Sequence, residues 1–312
     1  MTSTGLASTG LASTGLASTD LASTGEQPLR PVAVNLLGHV EHPVIDGGPY
    51  RVSADGKPYL PVGDGGIVLG LSLGDSAFVP CADHAAPGAC LIHPDPTARH
   101  ALTAYSCIGN PVTVRTGHAA GATGAVIGKR GEDGRVITAF RPGDLARMRP
   151  GDQVAVRSCG QGHRPDGLPD GLTLLNADPG LLALLPSVTW PPAGGGPLAA
   201  GVRCAAPSKL SGNGLGRPSA GWCLDLSLAP PAHGGADVRL GDLVAVTGLD
   251  ARFNMGFRRG WVTVGVVVHT DSPLPGHGPG ITPILTGPAS TLDVRSEPAG
   301  HTGLTAAALK LQ

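Results

Sequence analysis

The sequence predicts a mainly β protein: two barrel-like or sandwich-like β domains with one or two short helices. Three observations carry this. Short apolar runs recur through the body of the chain, each bounded by Gly, Pro or Asp. Three segments, LGDSAFV (73–79), PGDQVAV (150–156) and LGDLVAV (240–246), share one grammar in which a Gly-Asp turn launches an alternating strand. No regular strand–helix–strand alternation appears, which disfavours a doubly wound parallel sheet.

Residues 1–28 hold a repeated STGLA unit whose period of five fits neither helix nor strand, so a flexible tail is expected. The first β domain is placed at 29–140. Val32, Val34 and Leu36 alternate, and the turn Gly63-Asp64-Gly65-Gly66 leads into Ile67, Val68 and Leu69. Asp95 caps a helix with Pro96 at its first position, running through Leu102 and Tyr105 towards Gly109. Val112, Val114, Val126, Ile127, Val136 and Ile137 fall in further short runs. The second β domain is placed at 141–300, with PPAGGGP (191–197) as a rival boundary. Asp178-Pro179 opens a short helix through Leu181, Leu182 and Leu185, stopped at Pro186. Residues 301–312 form a C-terminal tail.

Composition narrows the function classes. Net charge is −1 without a basic tract, so no patch is visible for neutralising phosphates, and nucleic acid is not an expected partner. Only 14% of residues are charged, which favours a homo-oligomer that hides part of its surface. The six cysteines form no CxxC pair, no secretory signal is visible, and no apolar run of about 18 residues exists. A cytoplasmic protein with reduced thiols and no membrane span is expected.

Polar residues gather at three places. In VVVHTDSPLPGHGPG (266–280), alternation puts Val262, Val264, Val266 and Val268 on one strand face and His269 on the other, with Asp271 in the same parity as His269. His277 stands between Gly276 and Gly278. In CADHAAPGACLIHPD (81–95), Asp83 and His84 are adjacent, so both reach one site only from a loop. In SKLSGNGLGR (208–217), Gly212, Gly214 and Gly216 suggest a nest of backbone N–H groups for an anion, with Lys209 adding charge. Neither a P-loop nor a dinucleotide fingerprint is present, so no nucleotide cofactor motif exists. Ser72 in GLSLG lacks the strand–turn–helix context of a nucleophile elbow.

Several phrases in order resemble the family known as domain of unknown function 4438. They are Gly65-Gly66-Ile67, Asp83-His84 with Pro87-Gly88, Cys107-Ile108-Gly109-Asn110, Gly128-Lys129, the 211–216 glycine run and Gly276-His277-Gly278-Pro279-Gly280. The resemblance implies a mainly β protein of two domains and no established activity. It marks Asp83, His84, Asn110, Lys129, His269, Asp271 and His277 as polar points of the family pattern. Arg130 departs from it where histidine is expected, and Gly248-Leu249 interrupts an acidic stretch.

The expected function is a small-molecule enzyme of the lyase, cyclase or hydrolase kind, with secondary metabolism as one setting. It would use His84 or His269 as general base, oriented by Asp83 or Asp271, with His277 beside them. Lys209, Gly212, Gly214, Gly216, Asn110 and Lys129 would bind an anionic carbonyl or carboxylate compound. Two alternatives stay open: a non-catalytic metabolite-binding or assembly protein, and a metal-dependent hydrolase or lyase with a divalent ion on His84, His269 or His277.

Overall fold

The barrel that the spacing suggests is closed by antiparallel pairing alone. In the computed structural model, strands run in the order Ala33–Val40, Gln153–Cys159, Pro111–Val114, Thr123–Arg130, Arg135–Phe140 and Gly88–Ile92. The last pairs back onto the first, with His39 opposite Ile92 and Val40 opposite Leu91. Closure leaves these six strands without a free edge. Ile67–Val68 extends the sheet from Gly88–Ile92. The structure describes residues 31–45, 47–132, 134–193, 195–228, 237–297 and 300–312; the repeat tail placed at 1–28 lies outside them.

Alternating residues fill this barrel: Val112, Val114, Val126, Val136, Val154 and Val156 are all buried in one cluster. The helix Pro96–Tyr105 adds Leu102 to the same cluster. Asp95 caps it as expected, accepting the Ala98 N–H at 2.8 Å, but the helix stops at Tyr105, short of Gly109. Ser106 turns extended at its end. The Asp178-Pro179 segment forms a single 3-10 turn, Leu181–Leu184.

A second sheet runs Thr173–Leu174, Gly280–Pro288, Gly256–His269, Leu243–Asp250 and Cys204–Pro207, with Leu224–Asp225 paired to Gly280–Pro288. Gly248 sits in the left-handed region at φ 81° where the pairing register shifts between Thr247 and Leu249, so the interruption noted in the sequence is a β-bulge. Two of the three Gly-Asp segments launch strands. LGDSAFV does not: only Ser76 makes a bridge, to Arg239, because the segment lies as a strap against 238–240. The first sheet continues through Cys159, past the boundary placed at residue 140. Residues 31–312 form one compact unit, and one apolar cluster joins Ile127 and Ile137 to Val264, Val266 and Ile284.

Leu304 and Leu311 of the C-terminal segment are buried in that cluster. A polar clasp holds the segment: Asp242 pairs with Arg203 at 2.9 Å and His301 at 3.3 Å and accepts the Thr302 hydroxyl at 3.2 Å. Burial works to raise the Asp242 pKa, but His301 and Arg203 outweigh it and hold it at about 2. A carboxyl depressed on folding stabilises above its unfolded pKa of about 3.9 and loses that contribution as pH falls through the folded value. Urea midpoints are therefore expected to drop between about pH 5 and pH 2. Asp242→Asn is expected to lower the midpoint at pH 5 and to flatten the fall.

Candidate functional site

Two stretches far apart in sequence, 81–95 and 266–280, deliver three imidazoles to the carboxylate of Asp225. His269 ends the strand Gly256–His269 and pairs with Gly280. Asp225 pairs with the same Gly280 from the other side. A glycine between them removes the side chain that would stand in the gap: a Cβ on Gly280 would lie 1.9 Å from His269 Nε2. Across that gap His269 Nε2 lies 3.3 Å from Asp225 Oδ1. Cys223 Sγ is 3.5 Å from the same nitrogen.

The other face of Asp225 receives the two loops. His277 Nδ1 is 2.9 Å from Asp225 Oδ2, His84 Nε2 is 3.3 Å from it, and the two nitrogens are 2.9 Å apart. The His84 ring stands 5.1 Å from the His269 ring and 4.8 Å from the His277 ring. Asp83 and His84 reach one site because His84 adopts a left-handed conformation, φ 51°, in the loop. Asp83 Oδ1 then lies 2.6 Å from His84 Nδ1. Asp83 Oδ2 accepts from Arg51 at 3.1 Å and from the Tyr59 hydroxyl at 3.0 Å.

Charge is shared along this row. Burial opposes ionisation of Asp225, but the three imidazoles outweigh it and hold its pKa well below the carboxylate range. Burial likewise lowers the His269 pKa, and Asp225 and Cys223 reverse this, holding it up at about 10. Asp83 is held low by His84, Ser272 and Tyr59 against its burial. Arg51 continues the row to Asp64 at 3.1 Å, and Asp64 also pairs with Arg130, the residue that departs from the family pattern. Arg135 joins Asp64 to Glu41, 2.6 Å from Glu41 Oε2.

Of the expected site residues, Asp83, His84, His269 and His277 come together. Asp271 does not join them through its side chain. Its backbone does the work instead, donating to Ala77 O at 2.8 Å and accepting from His84 N at 3.2 Å, while Asp225 takes the place beside His269. His84 and His269, read as general bases from the sequence, are 2% and 0% exposed, so neither opens directly to solvent. His277 is the member that reaches solvent, lining a cleft of about 730 Å³ with Tyr50, Arg51, Asn213, Arg217 and Trp222.

The expected anion nest is otherwise engaged. Gly212 N–H donates to Asp225 O at 2.8 Å and Gly216 N–H to Met255 O at 2.7 Å. A Cβ on Gly212 would lie 2.0 Å from Gly276 O, and one on Gly214 would lie 2.1 Å from Cys223 O. These glycines pack their own loop between the strand that carries Asp225 and the loop that carries His277. Lys209 lies exposed on the turn Ser208–Leu210 and does not line the cleft. Asn110 and Lys129 are buried and bonded within the fold. Asn110 bridges Cys107, Cys159 and Asp178; Lys129 donates to Ala104 O, Asn176 Oδ1 and Ala220 O, with burial pushing its pKa down to about 7. Neither is available to a substrate.

Asp225 and Cys223 were not singled out from the sequence. The one signal is Asp225 standing between Leu224 and Leu226, a carboxylate in an otherwise apolar alternation. Two sets of donors are close enough for a metal: His84, Asp225 and His277, and Cys223, Asp225 and His269, each within 4.8 Å.

Family models for domain of unknown function DUF4438 match both halves, the N-terminal model over residues 50–183 and the C-terminal model over 192–302. The chain belongs to the DUF4438 family. A solved structure titled "Crystal structure of TM1086" is similar over 87% of this chain and 95% of its own, at 31% identity and a TM-score of 0.81. No curated protein matches. Among the described residues, no helix is long and apolar enough to cross a membrane.

Proposed function

We propose that this DUF4438 protein is an enzyme that transfers protons on a small carbonyl or carboxylate compound, by hydrolysis, elimination or cyclisation. One observation carries the reading. Three imidazoles converge on the buried carboxylate of Asp225, and the cluster opens to a cleft at His277. A buried carboxylate and imidazoles from three chain segments cost stability to assemble, and such arrangements gather where acid–base work is done. Asp83 orients His84, and Asp225 orients His277 and His269.

Arg217 supports an anionic substrate. Its guanidinium lies 4.9 Å over the Trp222 ring, and no carboxylate pairs with it among the described residues. Arg51 lines the same cleft, although Asp64 and Asp83 already neutralise it. In this reading Arg217 takes the role expected of Lys209.

The test uses a panel of small 2-oxo and 2-hydroxy carboxylates incubated with the protein in D2O. Conversion or deuterium incorporation is expected for at least one compound, and His277→Ala is expected to slow it by about 10² to 10⁴. A compound that binds, is recovered unchanged, and merely binds less tightly to the variant makes the chain a binding protein instead.

A further inference from the structure

We propose that His84 Nε2, His277 Nδ1 and Asp225 Oδ2 are three ligands of a divalent transition-metal ion held in six-coordinate geometry. The three atoms form a triangle with edges of 2.9, 2.9 and 3.3 Å. Metal–ligand bonds of about 2.1–2.2 Å place neighbouring donors about 3.0 Å apart on an octahedron and about 3.4 Å apart on a tetrahedron. The triangle fits one face of the octahedron. Two imidazoles and one carboxylate on such a face leave the opposite positions for water and substrate.

With both rings neutral, hydrogen bonding leaves this triangle unsatisfied, and either a second proton on a ring or a cation relieves it. The Asp83 carboxylate, 2.6 Å from His84 Nδ1, favours the proton of the neutral ring on that nitrogen by charge rather than by an aligned hydrogen bond, which leaves Nε2 with a lone pair. Asp225 only accepts. His277 Nδ1 then lies 2.9 Å from both, and one N–H cannot point along both lines. One contact therefore sets two lone pairs face to face. A cation above the triangle satisfies all three atoms at once. A ring nitrogen held by a carboxylate or carbonyl while the other faces the ion is the common arrangement around metal-bound histidine.

The partners found for Asp225 are three imidazoles and the Cys223 thiol, with every arginine of the row spent on Asp83, Asp64 and Glu41. The positive charge that this buried carboxylate requires is thus left to the imidazoles or to an ion. The Cys223–Asp225–His269 set is the less suited of the two, because all three of its members are buried and none lines the cleft. This inference rests on the acid–base reading and changes its agent. An ion held by His84, His277 and Asp225 would lower the pKa of a water beside it and so supply the base at the cleft.

Titration of chelator-treated protein with Co2+ tests the site without a substrate. About one Co2+ per chain is expected, with the weak visible bands of a six-coordinate ion. His277→Ala, whose side chain is 17% exposed at the cleft, keeps the fold and is expected to weaken binding roughly 100-fold or more. Asp83→Asn, which removes the charge beside His84 and the ion pair to Arg51 without touching the three donor atoms, is expected to weaken it about 10- to 100-fold. Cys223→Ser is expected to bind Co2+ unchanged. Unaltered binding in His277→Ala overturns the proposal. So does a sulfur-to-cobalt charge-transfer band lost in Cys223→Ser, which puts the ion on the other set. Metal-free protein that processes its substrate at full rate overturns the ion and leaves the acid–base reading standing. Stoichiometric Co2+ binding with no turnover upholds the ion and removes that reading.

Discussion

Asp225→Ala is expected to cost about 3–5 kcal/mol of folding free energy, the largest effect of any single substitution at the cluster. Asp225 is 1% exposed and faces His84, His269 and His277 at 2.9–3.3 Å. Removing it strands whatever positive charge the cluster holds, on the rings or on an ion, inside the protein with no counter-charge. It also leaves a void between two loops that Gly212 and Gly276 pack closely together. Urea unfolding followed by circular dichroism measures the loss as a lower midpoint at unchanged slope. Asp225→Asn keeps the volume and is expected to lose less stability but all proton transfer, because an amide cannot balance the imidazoles. An unfolding free energy within about 0.5 kcal/mol of wild type for Asp225→Ala would place it among ordinary surface substitutions and deny its central position.

The second large effect is at Gly280. Its backbone lies between Asp225 and His269 in register, and an added methyl would come within 1.9 Å of His269 Nε2 and 2.4 Å of Cε1. No real contact is that short, so the ring or the strand must move. Gly280→Ala is expected to destabilise by about 1–3 kcal/mol through overpacking. It is also expected to lower turnover by about 10², since displacements of an ångström at a reacting centre have that size of effect. The cause is steric, so truncating the ring makes room: Gly280→Ala with His269→Ala is expected to lose less stability than the two single losses added. Strict additivity would show that the methyl group is accommodated elsewhere.

What the sequence revealed follows from the range of the interactions involved. The capping of Pro96–Tyr105 by Asp95 and the strands launched at Gly151-Asp152 and Gly241-Asp242 are local, and they were legible. LGDSAFV carries the same local signal, but its partner is the 238–240 segment in a strap rather than a sheet. Barrel closure depends on Val40 meeting Leu91, a pairing no local pattern specifies. At the site, histidines announce themselves by residue type, so His84, His269 and His277 stood out. Asp225 is one aspartate in an apolar alternation, and only the register across Gly280 brings it beside His269. Asp271 had the right parity on the strand, but the strand ends at His269 and the chain turns there. Glycines misled for a physical reason: close approach of backbone to a ligand and close approach of backbone to backbone make the same demand, and at Gly212 and Gly214 the second applies.

The most direct test of a single shared centre is a double-mutant cycle on turnover for His84→Ala and His277→Ala, using the compound most rapidly converted. Groups that act as one unit are grossly non-additive. With their nitrogens 2.9 Å apart on Asp225, the double variant is expected to be about as slow as the slower single variant. Penalties that multiply would show two independent sites and contradict the account.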